Sequence, residues 1–259
     1  MLAKERQDLI CALVKKDGAV TTGALVARFG VSVETIRRDL LELERAGRLT
    51  RVHGGAVAAG DMQPLLELPQ RNLAQSSQKQ ALSWVAAELV SEGDMIAVDS
   101  GSTAIHFAQA LKERFSELTV VTHSRDVFEL LCDHARFTVI LCSGHYLKGE
   151  RAFYGPLVLD TLQKLHVQKT FLFPSAVSLE GGICDYQQEL YPVQKQLMAC
   201  GEKIFVLADS SKFERRALLR LSAMKCEYTY ITDGELPEEI KELYRENGIQ
   251  LINGGTLWK

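Results

Sequence analysis

The chain has 259 residues, 46% hydrophobic and 24% charged, with a net charge of −3. These proportions belong to a globular protein and exclude a disordered polymer. No apolar run approaches the roughly 18 residues that cross a bilayer, and the first residues lack an apolar signal core, so a cytoplasmic location without membrane contact is expected.

The acidic total also argues against a general nucleic-acid coat, but the charge is unevenly divided. Residues 1–58 hold ten Lys or Arg against seven Asp or Glu, and the remainder holds 20 against 26. A basic head on an acidic body suits a protein that offers DNA one end only.

In the head, Leu9, Ile10, Leu13 and Val14 recur at helical spacing before Asp17-Gly18 breaks the pattern. A short second helix is expected from Thr22 to Phe29, with Gly30 as the turn. Ser32 caps a third helix that runs to Ala46 and stops at Gly47. Two extended pieces around Gly54-Gly55 follow, between Leu49 and Val57. Three helices and a hairpin make a winged helix-turn-helix, a small α+β domain over residues 1–58.

On the third helix, Val33, Ile36, Leu40 and Leu43 fall on one narrow arc and are expected to face the core. Glu34, Arg37, Arg38 and Arg45 fall on the opposite arc. An amphipathic helix after a glycine turn, with arginines on its outer N-terminal half, has the form of a recognition helix. Thr35, Arg37 and Arg38 are candidates for groove contacts, since Arg binds guanine O6 and N7 bidentately. Arg51, His53 and Gly54 lie on the wing, where a glycine lets backbone approach phosphate. Thr22, Ser32 and Glu34 complete the candidate DNA-binding set. Asp39 lies on the flank and is expected in a structural hydrogen bond or ion pair. The other reading of this head is a winged helix that makes only protein contacts.

Residues 59–75 contain Pro64 and Pro69 and read as an irregular linker. A helix from Ser76, with Trp84, Val85, Leu89 and Val90, opens the body at residues 76–259. Six apolar runs there end in small polar residues, at MIAVDSGST, LTVVTHS, FTVILCSG, KTFLFPSA, KIFVLADSS and YTYITDG, with a seventh possible at 249–252. Helical stretches such as 105–114 and 127–132 separate several of them. Short buried strands alternating with helices predict a mostly parallel α/β sheet covered on both faces. The six cysteines (11, 132, 142, 184, 200 and 226) have no metal-ligand spacing and read as buried, reduced thiols. No metal, cofactor or catalytic set is indicated.

Asp99-Ser-Gly-Ser-Thr103 follows a strand and opens a helix. Backbone N–H groups and the positive end of a helix dipole make such a turn an anion site. Gly101 allows close approach, while the hydroxyls of Ser100, Ser102 and Thr103 are donors. The turn is neither a Walker loop nor a dinucleotide fingerprint, so a phosphorylated small molecule fits better than a nucleotide. Other strand ends are expected to converge on the same crevice. They contribute Thr122, His123 and Ser124; Ser175; and Asp209, Ser210, Ser211 and Lys212. Glu189 and Lys195 are placed on a helix that reaches the ligand's hydroxyls.

The run from Ser32 to Ala56, with T-I-R-R-D-L followed by G-x-L-x-R-x-H-G-G-A, resembles the N-terminal signature of DeoR-type bacterial regulators of sugar metabolism. The resemblance extends over nearly the whole chain. The family's D-x-G-T-T stands here as Asp99-Ser-Gly-Ser-Thr103, its T-N-S as Thr122-His-Ser124, its D-S-S-K-F as Asp209–Phe213 and its I-T-D as Ile231–Asp233. His123 takes the place of an asparagine, and the stretch 173–185 is less typical.

The resemblance implies a regulator, most often a repressor, of a carbohydrate operon. It also implies a sensor domain similar to ribose-5-phosphate isomerase that binds phosphorylated sugars. A homodimer or homotetramer is expected on double-stranded operator DNA, because paired heads read two half-sites.

Two alternatives stand beside it: a ligand-independent regulator whose body only oligomerises, and an active sugar-phosphate isomerase. Isomerisation needs a positioned base and a stabiliser for the enediolate. Isomerases of the similar fold carry a D-G-A-D-like strand end and a Lys-Gly-Gly-Gly-like turn. The corresponding segments here are Phe173-Pro-Ser-Ala176 and Glu180-Gly-Gly182, without the lysine, so no enzyme activity is expected.

Overall fold

The computed structural model describes residues 2–17, 19–52, 54–58 and 68–254. His53 and residues 59–67 of the expected linker lie outside the described residues. Among the described residues the contacts divide the chain into two compact units, and the first is discontinuous. It joins residues 1–66 with 175–188 and 214–223; the second holds the remaining residues.

The first unit begins with α1 (Ala3–Asp17), β1 (Ala19–Thr21), α2 (Thr22–Phe29), α3 (Val33–Arg45), β2 (Leu49–Val52) and β3 (Gly55–Ala58). This is the expected helix-turn-helix with its wing. β1 is an addition: it is three residues long, too short to show a period, and it pairs with β3 in an antiparallel sheet of order β1-β3-β2. Gly55 is required there, because a Cβ at this position would stand 2.0 Å from the Val20 carbonyl oxygen.

Ile10, Val14, Leu25, Ile36, Leu40, Leu43, Leu49 and Ala56 form the core of the head. Ile36, Leu40 and Leu43 point inward as expected, but Val33 is 45% exposed. It is the first helical residue after the cap, ahead of the point where the inward stripe meets the core.

The rest of the chain, shared between the two units, adds α4 (Leu68–Leu73), α5 (Ser76–Ala87), β4 (Met95–Val98), α6 (Ser102–Arg114), β5 (Leu118–Thr122), α7 (Arg125–Leu131) and β6 (Phe137–Leu141). Next come β7 (His145–Leu147), β8 (Ala152–Tyr154), α8 (Pro156–Gln163), β9 (Val167–Leu172), β10 (Ala176–Ser178) and β11 (Gly182–Asp185). The chain continues through α9 (Tyr191–Cys200), β12 (Gly201–Leu207), β13 (Leu219–Ser222), β14 (Thr229–Thr232), α10 (Glu238–Glu246) and β15 (Gln250–Asn253).

Seven strands form one parallel sheet of order β15-β14-β12-β9-β4-β5-β6, the fold class read from the six apolar runs, and the seventh run at 249–252 is matched by β15 (Gln250–Asn253). Phe107 on α6 packs against Phe171 at 4.5 Å between ring centroids, and Phe171 stacks on Phe205 at 4.9 Å, so helix and central strands share one core.

α4 corrects the reading of residues 68–73 as irregular. Pro69 is the second residue of this helix, where a missing N–H costs no intrahelical bond. The cysteines need a similar correction. All six are free, but Cys132 and Cys226 are exposed and Cys11 is half-buried.

Chain order fixes where a ligand site belongs. From β4 the sheet grows through β5 to β6, then the chain returns and β9, β12, β14 and β15 extend it on the other side of β4. The direction of winding reverses between β4 and β9. In open α/β sheets the crevice outside the carboxyl ends of the strands at such a switch point receives ligands. The loop that leaves β4 at this point is Asp99-Ser100-Gly101.

Candidate functional sites

On the head, Ser32 caps α3: its Oγ accepts a hydrogen bond from the Thr35 N–H at 3.2 Å and lies 2.9 Å from the Thr35 hydroxyl. This ties two candidate DNA contacts together at the start of the recognition helix. Ser32→Ala should cost about 1 kcal/mol and loosen the first turn of α3. Amide exchange at Glu34 and Thr35 measures that; unchanged protection would show that the cap is idle.

Arg37 and Arg38 project outward, with side chains 64% and 82% exposed. Among the described residues, each meets only an exposed carboxylate on its own helix, Glu34 and Glu42 respectively, both at 3.5 Å. Such pairs are weak and exchange readily for phosphate or a base edge. Arg51 is exposed on β2, where its N–H donates to Glu44 Oε1 at 2.9 Å. The Thr22 N–H donates to the Gly54 carbonyl at 2.7 Å, which joins the start of α2 to the wing turn. A Cβ on Gly54 would stand 2.7 Å from the Gln188 Nε2, so that side of the turn is already occupied.

Asp39 is buried in a fork with Arg6, as the flank position predicted. Arg6 Nε reaches Oδ2 at 2.5 Å and Nη2 reaches Oδ1 at 3.1 Å, with Gln7 Nε2 adding a third contact at 3.3 Å. The hydrogen bond that it donates to Asp39 raises the pKa of the Arg6 guanidinium.

In the body, the loop after β4 is buried. Asp99, Ser100, Ser102 and Thr103 are inaccessible or nearly so. Gly101 adopts φ 124°, a left-handed conformation suited to glycine, with open space where a Cβ would project. The hydroxyl of Thr103 has no hydrogen-bond partner among the described residues.

His123 is fully buried and not available at a pocket surface in the way its position suggested. Its Nδ1 donates to the Phe153 carbonyl at 2.9 Å, since a carbonyl only accepts. Its Nε2 lies 2.9 Å from Asp99 Oδ1, within hydrogen-bond distance. Gln194 Nε2 donates to the other oxygen of Asp99 at 3.2 Å. His123 therefore braces the loop that leaves β4.

Thr122 and Ser124 are spent on structure as well. The Thr122 hydroxyl donates to the Val98 carbonyl at 2.8 Å, and Ser124 Oγ caps α7 by accepting from Val127 N at 3.3 Å.

At the end of β12, Asp209 accepts from the Ser211 hydroxyl and lies 3.9 Å from the Lys212 ammonium. Lys212 Nζ donates to the Pro174 carbonyl at 3.0 Å, and the Ser210 N–H donates to Asp233 at 2.7 Å. Three candidates lie elsewhere. Ser175 is in the first unit, donating to Asp185 at 2.8 Å. Glu189 is in the turn ahead of α9 and not on a helix, while Lys195 is on the exposed side of α9.

One residue the sequence reading passed over is Lys79 on α5. Its side chain is buried and donates to the carbonyls of Arg71 and Ala74. Burial pushes its pKa down to about 8; the positive charge of Lys212 adds to that shift, Asp209 opposes it, and Arg71 lowers it further. The same burial, reinforced by the charge of Lys79, lowers the pKa of His106 on α6. Lys79, Lys212, Asp209, Arg71 and His106 thus share one electrostatic neighbourhood. The signal was present in the spacing: Lys79, Leu82, Ser83 and Ala86 form an i, i+3, i+4, i+7 stripe that is buried throughout. A lysine on such a stripe has a buried task.

Among the described residues there is no cluster of His, Cys, Asp and Glu able to hold a metal ion, and no helix long and apolar enough to cross a membrane.

Comparison with known proteins gives two family matches. Residues 6–61 match the DeoR-like helix-turn-helix domain, and residues 74–234 match the DeoR C terminal sensor domain. An uncharacterized HTH-type transcriptional regulator of Bacillus subtilis is 32% identical over 244 residues, 94% of each chain. The L-fucose operon activator of Haemophilus influenzae is 30% identical, covering 95% of this chain and 98% of its own. The lactose phosphotransferase system repressor of Lactococcus lactis is 30% identical, covering 93% of this chain and 96% of its own. These relatives are similar to the chain from end to end.

Proposed function

The chain belongs to the DeoR family of transcription regulators, and from that premise we propose that it represses a carbohydrate-utilisation operon and responds to a phosphorylated sugar. Residues 1–58 hold the operator through α3 and the wing, residues 59–75 link, and sensing falls to the part of residues 76–259 that forms the second unit. Two copies, or two pairs, set the spacing of half-sites. The matched relatives carry the names of regulators and not of enzymes, which sets the isomerase reading aside.

The observation that carries the sensing half is the buried Lys79 beside Lys212. Two cations in electrostatic reach of each other, on the same compact unit as Gly101 and the N-terminus of α6, suit a dianionic phosphate. The experiment is operator binding by the full chain against a panel of sugar phosphates. One of them should weaken binding, and Ser102→Ala with Thr103→Ala should remove the response. If no member of the panel changes operator affinity, the sensing role fails. Deleting the gene should raise expression of the controlled operon; a fall would make the protein an activator.

Lys79 gives this reading a pH signature. The free protein loses the Lys79 charge as pH rises through about 8, whereas a bound phosphate holds that proton in place. Effector affinity should therefore be level near pH 7 and fall above pH 8, by at most about tenfold per unit. Stability of the free protein should move the other way. Between about 8 and the ordinary 10.5 the unfolded lysine binds more protons than the folded one, so stability rises with pH. Calorimetric titration across this range checks both; in Lys79→Met the bend near pH 8 should vanish and affinity fall about 10- to 100-fold.

A further inference from the structure

β3 alternates between two cores. Ala56 faces the interior of the head, and Val57, the next residue, is buried with Ala176, Cys184, Tyr186 and Ala217. A sheet whose one face lies on α1 and α3 would leave its other face to water unless something covered it. Here the cover comes from far down the sequence, within the same compact unit: the antiparallel sheet β10-β11-β13 and its flanks.

That sheet is built firmly. β11 is buried along its whole length, which in a sheet of three strands requires both faces to be covered. Ser175 bonds Asp185 at one end, the Gly181 N–H donates to Ser178 Oγ at 3.0 Å, and Arg216 pairs with Glu180. Gly182, at φ 81°, lies so close to the Ser222 carbonyl that a Cβ would stand 2.1 Å from it. At the wing turn, Gln188 fills the space beside Gly54.

We propose that residues 175–188 and 214–223 are a seat that positions the DNA-binding wing. The proposal rests on the reading of the head as a DNA-binding domain. The seat takes the sheet face of the wing and leaves Arg37 and Arg38 exposed, so a seated head still presents its recognition helix. Holding the head in one orientation reduces the freedom it loses on binding DNA, and affinity rises accordingly. The chain enters the seat directly after Pro174 and again directly after Phe213. Within the second unit, Lys212 Nζ bonds the Pro174 carbonyl, the residue just before the first of these segments. Val57, Tyr186 and Ala217 are positioning residues in this scheme, and none needs to touch DNA.

The test uses the full chain and a duplex selected from random sequence for binding by the unaltered full chain. Ala217→Asp places a charge in the seat, and Val57→Thr weakens the contact while keeping side-chain shape and strand preference. Each should weaken DNA binding, by about tenfold for Ala217→Asp. Amide exchange in β3 should speed up while exchange in α3 stays as it was. Faster exchange in β3 with unchanged affinity would leave the seat without a role, and tighter binding would make it an inhibitor; either result overturns the proposal. If Ala217→Asp does not melt cooperatively, Val57→Thr decides by the same two readouts. Arg37→Ala with Arg38→Ala is the control. If that variant loses binding and the seat variants do not, only the seat is refuted; if it also binds normally, the reading of the head falls first.

Discussion

Replacing Arg37 and Arg38 together by alanine should abolish specific operator binding while leaving the head folded. Both side chains are exposed and, among the described residues, meet only exposed glutamates of their own helix at 3.5 Å, so little stability depends on them. Their removal takes away the outward cations of the first two turns of α3. A bidentate contact to guanine is worth about 1–3 kcal/mol of discrimination, so two such contacts amount to roughly 30-fold to 10⁴-fold.

Salt dependence separates the two possible tasks. An arginine that holds phosphate lowers specific and non-specific binding alike and reduces the salt slope by about one; an arginine that reads a base relaxes specificity at one position. Anisotropy titrations at several salt concentrations with operator and random duplexes make the distinction. Unchanged operator affinity in the double variant would overturn the assignment of α3.

The second large effect is on stability. Asp39→Ala leaves the Arg6 guanidinium buried without its carboxylate, and breaking a buried pair in this way costs about 3–5 kcal/mol. Arg6 and Asp39 are both almost inaccessible, and the fork joins α1 to α3. The loss should appear as faster amide exchange across both helices and as failure of DNA binding, although neither residue faces outward.

Arg6→Met combined with Asp39→Leu should recover much of the loss, because replacing both charges by apolar groups removes the desolvation penalty along with the attraction. If Asp39→Ala costs less than about 1 kcal/mol, water reaches the pair and the fork is not a structural pin.

Part of the candidate site was legible in the sequence because its signals are local. The cap at Ser32, the inward arc of Ile36, Leu40 and Leu43, and the outward Arg37 and Arg38 follow from a period of 3.6 residues and one glycine turn. The loop at Asp99–Thr103 announced itself as small polar residues between a strand and a helix. Reading fared less well where a polar residue at a strand end had two possible uses. Thr122, His123 and Ser124 sit where ligand contacts were expected, yet their side chains bond Val98, Phe153, Asp99 and the start of α7. A hydroxyl or imidazole that braces a loop has the same sequence signature as one that meets a ligand.

The sequence by itself determined the classes of element: three helices and a wing, then six short apolar strands, with a seventh possible, alternating with helices as a covered parallel sheet requires. Each of these follows from side chains only a few positions apart, and periodicity records such relations directly. Tertiary structure alone decided the rest. It placed the reversal of winding between β4 and β9, gave Asp39 its partner Arg6, brought Lys79 within electrostatic reach of Lys212, and set the strands at 176–178, 182–185 and 219–222 behind the wing. In each case the partners are distant along the chain. What selects them is the burial of a charge or an apolar face that must be satisfied by whatever the fold brings near, and no local period carries that information.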